Sequence, residues 1–380
     1  MQADPPIKVN WEGSLFVHHS LGMVNREILR ELAFDPRFSL GHVPFESDQF
    51  SPLSAPRFAA LVAALAGPYG DAAVHVRHRW PPDFTPPSSG AHVLFQPWEY
   101  GCLPVEWVEK VPDVAREVWV YTAYLKECYV ASGLDERIVK VIPLGIDPAE
   151  FTPDAVPASW LRDMVGRRYC FFYNGGITLR KGIDILVNAY LNEFRPEEPV
   201  CLVIKGSNAY KKELASKVEA LARRTDVASI IYLTQDIAPD ELPGLYAACD
   251  CYVQPYRAEG YGLPIAEAMA CGRPVIVTGA GACRDFADED TAYLIKCSME
   301  KLNEWVVSGI PTVGNPFWLL PDMDDLRQLM RYVYTHPAEA REKGEKASRK
   351  IRTQHTWKRS AAAVGERIFE IAEKKGTGDR

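Results

Sequence analysis

The chain has 380 residues, 47% of them hydrophobic and 24% charged, with a formal net charge of −7 at pH 7. That length exceeds what one hydrophobic core usually serves, so two domains of ordinary size are expected in a soluble globular protein. The acidic balance excludes nucleic-acid binding as the main activity, which needs an excess of Lys and Arg on one face, but it leaves room for a local basic pocket.

In chain order, Met1 to Pro6 shows no basic region followed by an apolar stretch. No window approaches the roughly 18–20 apolar residues of a membrane span. The expected location is cytoplasmic, with peripheral membrane contact left open. Short apolar runs then alternate with helical patterns: Ile7 to Trp11 as a strand, Met23 to Leu32 as a helix, Val93 to Gln96 and Glu117 to Val120 as strands. Such alternation predicts a parallel sheet covered by helices. Arg79 to Gly90 (RWPPDFTPPSSG) reads as a surface loop, with structural and ligand-facing readings both open. Val141 to Phe151 (VIPLGIDPAEF) carries two prolines and a glycine and is a natural hinge.

A second series follows, with strands at Tyr169 to Tyr173, Val200 to Ile204, Ser229 to Leu233, Asp250 to Gln254 and Pro274 to Thr278. Helices are predicted at Ile183 to Phe194, Lys211 to Arg223, Leu242 to Ala248 and Pro264 to Ala270. The fold class is therefore α/β, two doubly wound Rossmann-like lobes facing a central cleft, with ligand at the carboxyl ends of the strands. Leu302 to Pro321 reads as an inserted loop. Trp357 to Lys375 reads as a helix packing one face, Ala361, Val364, Ile368 and Ile371, against a lobe. The expected domains are 1–145 and 146–356, with the helix at about 357–375 packing back on the first. The nine cysteines form no CxxC or Cys/His metal spacing and read mostly as buried reduced thiols.

The chemistry-bearing signal is Glu259 to Thr278 (EGYGLPIAEAMACGRPVIVT), in which seven residues separate Glu259 and Glu267. Gly260 and Gly262 allow close backbone approach, Pro264 can open a helix, and a helix N-terminus attracts a diphosphate. This reading also puts Glu267 in the first helical turn. The bland alternative is a strand, turn and helix with two solvated glutamates. A second signal, Asn174 to Gly182 (NGGITLRKG), sits between a predicted strand and helix, where Arg180 and Lys181 can meet a departing anion. Otherwise the pair caps a surface turn.

These two motifs resemble those of the retaining nucleotide-sugar glycosyltransferases of family 4, which have the GT-B fold. The linker VIPLGIDPAEF, the run YAACDCYVQPY and the loop WEGSLFVHHSLGMVNR extend the resemblance over most of the chain. It implies that Glu267 accepts hydrogen bonds from ribose hydroxyls and that Glu259 contacts the transferred sugar. Backbone groups of Gly260, Tyr261, Gly262 and Leu263 would line the sugar and diphosphate, together with Gly176. The loop with Gly13 and Ser14 lacks the double glycine of many relatives; those two could approach the phosphates, or the segment is a plain connecting loop. Arg180 and Lys181 would neutralise the leaving diphosphate. Where the family's loop often begins Gly-Arg, this chain has Gly176, and one arginine is missing.

The strand reading VLFQPWEYG lacks the histidine many relatives place after it. His78 is the substitute candidate, and Trp98 and Glu99 could shape an acceptor site; each also reads as a structural or surface residue. Asp288-Glu289-Asp290 looks like a metal-binding acidic element but reads as a solvated turn, so no metal and no cofactor are expected. The implied reaction is a retaining transfer from a nucleotide-diphosphate sugar to a hydroxyl-bearing acceptor, the leaving phosphate taking the proton. A nucleotide-sugar epimerase or hydrolase on the same fold, or a catalytically silent sugar- or partner-binding subunit, are the alternatives.

Overall fold

The computed structural model describes residues 5–52, 56–206 and 212–376. The expectations for Met1 to Asp4 and for Lys211 lie outside them. The chain divides between Gly145 and Ile146 into two compact units, and Glu304–Pro316 and the helix beginning at Trp357 belong to the first.

The first unit carries strands β1 (Ile7–Glu12), β2 (Phe38–Val43), β3 (Val74–Arg77), β4 (Ala91–Phe95), β5 (Glu117–Val120) and β6 (Val139–Val141). Helices α1 (Ser20–Leu32), α2 (Ala59–Ala64), α3 (Val105–Val114) and α4 (Ala123–Ala131) connect them. The sheet is parallel throughout, in the order β2-β1-β3-β4-β5-β6. Both faces of such a sheet are covered, which is why Val9, Val76, Val93 and Val120 are fully buried. The chain leaves β1 to one side and returns to β3 on the other, so the topological switch point lies between those strands.

The second unit opens with helix α5 (Ser159–Val165) and strand β7 (Tyr169–Asn174), followed by α6 (Ile183–Glu193), β8 (Val200–Lys205), α7 (Lys212–Ala222) and β9 (Ser229–Leu233). It continues through α8 (Leu242–Ala248), β10 (Cys251–Gln254), α9 (Leu263–Ala270), β11 (Val275–Thr278) and β12 (Tyr293–Ile295). Its sheet is again parallel, in the order β12-β11-β10-β7-β8-β9, and the switch point lies between β7 and β10. Phe171, Leu202, Val253 and Ile276 from the strands form one core with Ile183, Leu186 and Tyr190 of α6.

The expected elements of both series are present, β5, β9 and α8 with the same bounds and the others within a few residues. The inserted loop differs. Strand β13 (Cys297–Lys301) pairs antiparallel with β16 (Phe317–Pro321), and a smaller ribbon of β14 (Val306–Val307) and β15 (Ile310–Pro311) stands between them. Nor does the second domain run unbroken from 146 to 356. Glu304–Pro316 joins the first unit through a Pro104↔Thr312 bridge and the Val313 amide on the Leu103 carbonyl, 3.0 Å. Strands of two residues carry no readable alternation.

Two further helices, α10 (Met323–Thr335) and α11 (Pro337–Gln354), follow β16. Asp322 caps the first by accepting from the Asp325 amide, and Pro337 occupies the opening of the second. The last helix, α12 (Trp357–Gly376), packs on α1 with Ala361, Val364, Ile368 and Ile371 all buried. Arg367 on the same helix pairs with the carboxylate of Glu117 in β5. All nine cysteines carry free thiols, seven of them buried. Among the described residues no helix is long and apolar enough to cross a membrane.

The packing of α12 has a direct check. Ile368→Ala should destabilise the first unit by about 2–5 kcal/mol, the cost of a buried Ile-to-Ala truncation. An unchanged urea midpoint would contradict the placement of this helix.

Candidate functional site

The sequence motifs converge at the β7/β10 switch point of the second unit. β7 ends at Asn174, and the Tyr173 hydroxyl donates to the Gly176 carbonyl at 2.9 Å, folding the Gly175-Gly176 turn back on its strand. Thr178 then caps a single 3₁₀ turn, Leu179–Lys181, that carries both predicted cations. Gly182 follows at φ +74°, and a Cβ there would lie 1.8 Å from the Pro255 carbonyl oxygen. Only glycine lets α6 begin this close to the end of β10.

Arg257 laces the two loops together. Its guanidinium forms a two-pronged pair with Asp184 in the first turn of α6, both contacts at 2.7 Å, and also donates to the Leu179 carbonyl at 2.6 Å. The Arg257 amide donates to the Arg180 carbonyl at 2.8 Å. Arg180 in turn donates from Nη1 to the Ala258 carbonyl at 3.0 Å.

Within this frame Glu259 is 5% exposed. Its Oε1 accepts from Lys181 Nζ and, at 2.6 Å, from Gln254 Nε2, while its Oε2 lies 3.9 Å from Arg180 Nη1. The predicted catalytic group, Glu259, Arg180 and Lys181, is thus one cluster. Gln254, at the end of the apolar strand CYVQ, was missed. Its place in an apolar strand, where a buried amide requires partners, was visible in the sequence, but the partners were not.

Glu267 is 4% exposed and is the fifth residue of α9, so it lies in the second turn rather than the first. Gly262 caps that helix at φ +99°, with Pro264 in its opening turn, and Gly260, Tyr261 and Leu263 are buried beside it. The Glu267 carboxyl accepts from the Tyr246 hydroxyl at 2.7 Å, and Tyr246 accepts from Asn174 Nδ2 at 3.0 Å. Burial without a cation raises the Glu267 pKa to about 7, against the smaller opposing effect of the Tyr246 bond.

The first-unit candidates have internal roles. His78 is fully buried, with Nδ1 2.5 Å from Asn25 Oδ1 and Nε2 2.6 Å from the Tyr121 hydroxyl, and burial depresses its pKa to about 3. This neutral imidazole lies in the core of the first unit. A Cβ on Gly13 would lie 2.5 Å from both Asn25 Nδ2 and the His78 carbonyl oxygen, and the Ser14 hydroxyl donates to Glu46, so packing accounts for both positions. Trp98 is 3% exposed, donates to the Cys102 carbonyl and contacts Trp107 and Tyr100, an aromatic anchor. Trp80, stacked on it, is 44% exposed. Glu99 is partly buried. Asp288 accepts from Thr291 and pairs with Lys350 Nζ at 2.7 Å, shaping its own turn.

Two outcomes follow. Gly182→Ala should destabilise the second unit by at least about 1 kcal/mol, since strain and the Pro255 clash add; an unchanged thermal midpoint would contradict the close approach. The Glu267 pKa is raised from an ordinary 4.5 to about 7. Its contribution to stability is therefore full below pH 4.5 and is lost as pH rises through 7. Glu267→Gln removes that loss, so the variant should gain on the parent across this window and exceed it at pH 8 by roughly 1–3 kcal/mol. A stability difference that does not vary with pH would contradict the burial argument.

Residues 168–307 match the family described as Glycosyl transferases group 1. The chain is 33% identical over 165 residues to D-inositol 3-phosphate glycosyltransferase of Xylanimonas cellulosilytica, covering 42% of this chain and 39% of that one. It is 27% identical over 197 residues to a GDP-mannose-dependent alpha-(1-6)-phosphatidylinositol monomannoside mannosyltransferase of Mycobacterium tuberculosis, covering 50% of each. It thus spans half or less of the length of these curated relatives. Among solved structures, Anabaena HepE in complex with UDP-glucose superimposes with a TM-score of 0.67 at 15% identity, covering 97% of this chain and 100% of that one. A glycosyltransferase of Rickettsia africae gives 0.69 at 14% identity, covering 96% and 98%. Residues 168–307 thus resemble the glycosyl transferases group 1 family, and the two-sheet α/β fold is the one these solved structures share.

Proposed function

We propose that this protein is a retaining glycosyltransferase that moves a sugar from a nucleotide-diphosphate sugar to an acceptor hydroxyl without a metal ion, in glycan or glycoconjugate biosynthesis. The observation that carries the proposal is the single cluster of Arg180, Lys181 and buried Glu259 at the β7/β10 switch point. Two cations beside a carboxylate suit a substrate whose one end is anionic and whose other end is a polyol. The curated relatives are glycosyltransferases by name, one of them GDP-mannose-dependent, which supports glycosyl transfer.

In this reading the diphosphate lies against Arg180 and Lys181, the sugar hydroxyls against Glu259, and the ribose hydroxyls against Glu267. The bond between the sugar's anomeric carbon and the diphosphate oxygen breaks as positive charge develops on the ring. The acceptor oxygen bonds to that carbon on the same face, and its proton passes to the leaving phosphate. Charge accumulates on the departing oxygen, where fixed cations act without reorganising.

Lys181→Ala should lower turnover about 10- to 100-fold if one charge-assisted hydrogen bond to the leaving group is lost. Arg180→Ala, on the more exposed side of the cluster, should act in the same direction. Turnover is measured with UDP-, GDP- and ADP-sugars against a panel of acceptors, and the anomeric configuration of the product by NMR. Unchanged rates in both variants, or an inverted product, would contradict the proposal.

A further inference from the structure

We infer that Gln254 is a positioning residue that fixes which oxygen of Glu259 faces the sugar. The inference rests on the donor reading above and deepens it.

Gln254 is 1% exposed, at the carboxyl end of β10, and its amide has one workable orientation. A carboxylate oxygen only accepts, so the amide NH₂ must point at Glu259, where Nε2 stands 2.6 Å from Oε1. The amide carbonyl then faces the Tyr252 hydroxyl, which donates to it at 2.5 Å and also lies 3.1 Å from the Asn174 carbonyl. Flipping the amide would put its oxygen against the carboxylate, in a site where an unsatisfied polar group is costly.

The consequence lies in how the two oxygens of Glu259 are used. Gln254 and Lys181 both bond to Oε1, which turns Oε2 toward Arg180 at 3.9 Å, on the side where the leaving group would lie. Without Gln254 the carboxylate would lose its one short amide contact, leaving Lys181 and the longer Arg180 pair, and the group could rotate about its last torsion more freely. Asn174 ties the same network to the second carboxylate: its carbonyl lies by Tyr252, and its side chain donates to Tyr246, which donates to Glu267. Gln254 touches no reacting atom, so its effect should appear in the rate of transfer more than in the affinity for nucleotide.

The test compares the parent with Gln254→Leu and Gln254→Glu, using UDP-glucose, GDP-mannose and ADP-glucose turnover and thermal shifts with UDP, GDP and ADP. Gln254→Leu should lower kcat roughly 10- to 100-fold, with donor KM within about threefold and the nucleotide thermal shift retained. Gln254→Glu sets a second carboxylate against Glu259, and two such groups share one proton. Its turnover should therefore gain an acid-dependent limb that the parent lacks, falling as pH rises, whereas loss of packing alone would leave the profile's shape unchanged. Should Gln254→Leu lose its cooperative unfolding transition, the pH profile of Gln254→Glu decides. Parent turnover with kcat and pH profile unchanged in the variants would overturn this inference alone. No turnover or thermal shift in the parent would overturn the donor reading with it.

Discussion

A carboxylate that is 5% exposed needs partners, and most of the site's architecture supplies them to Glu259. Its cation, Lys181, sits on a turn less than four residues long, and that turn stays in place because Gly182 lets it press on Pro255. Arg257 then binds Asp184 and the Leu179 carbonyl, so the loop after β7 and the loop after β10 are tied together. Breaking a buried pair by removing one partner commonly costs on the order of 3–5 kcal/mol, so the frame and the chemistry are not separable. Both lie at the switch point, where the strands on either side diverge and leave room above their carboxyl ends.

The two glutamates of the motif occupy opposite environments, and the difference suits different tasks. Glu259 is held by a cation and an amide, an arrangement that fixes the orientation of its carboxylate. Glu267 has a phenol as its partner, and burial lifts its pKa to about 7. A ligand hydroxyl donating to Glu267 would favour the ionised form, so ligand binding there and proton release are linked. Seven intervening residues include the left-handed Gly262 and the start of α9, and these carry the chain from one environment to the other.

Much of this was legible in the sequence because the signals were periodic or conformational. Apolar runs such as YCFFYN and CYVQ mark strands buried on both faces, and the spacing of Ala361, Val364, Ile368 and Ile371 marks the buried face of α12. Gly262 was legible as a point of close backbone approach, and it takes a left-handed conformation at φ +99°. The polar network was not legible, since the partnership of Asn174, Tyr246, Tyr252 and Gln254 depends on strands that meet only in space. His78 shows the converse limit: a histidine beside arginines in HVRHRW looks exposed, yet just past the end of β3 it is buried against Phe95 and Tyr121. The ribbon of β14 and β15 escaped because two-residue strands leave no pattern.

The proposed reaction depends on the second unit binding a nucleotide diphosphate at Glu267 and beside Arg180 and Lys181. Thermal shift with UDP, GDP and ADP, without metal and then with magnesium, on the parent and Glu267→Ala, tests that binding. The expected result is a metal-independent shift with one nucleotide family that is lost in the variant. A parent that responds to none of them, or a variant that responds as the parent does, would contradict it.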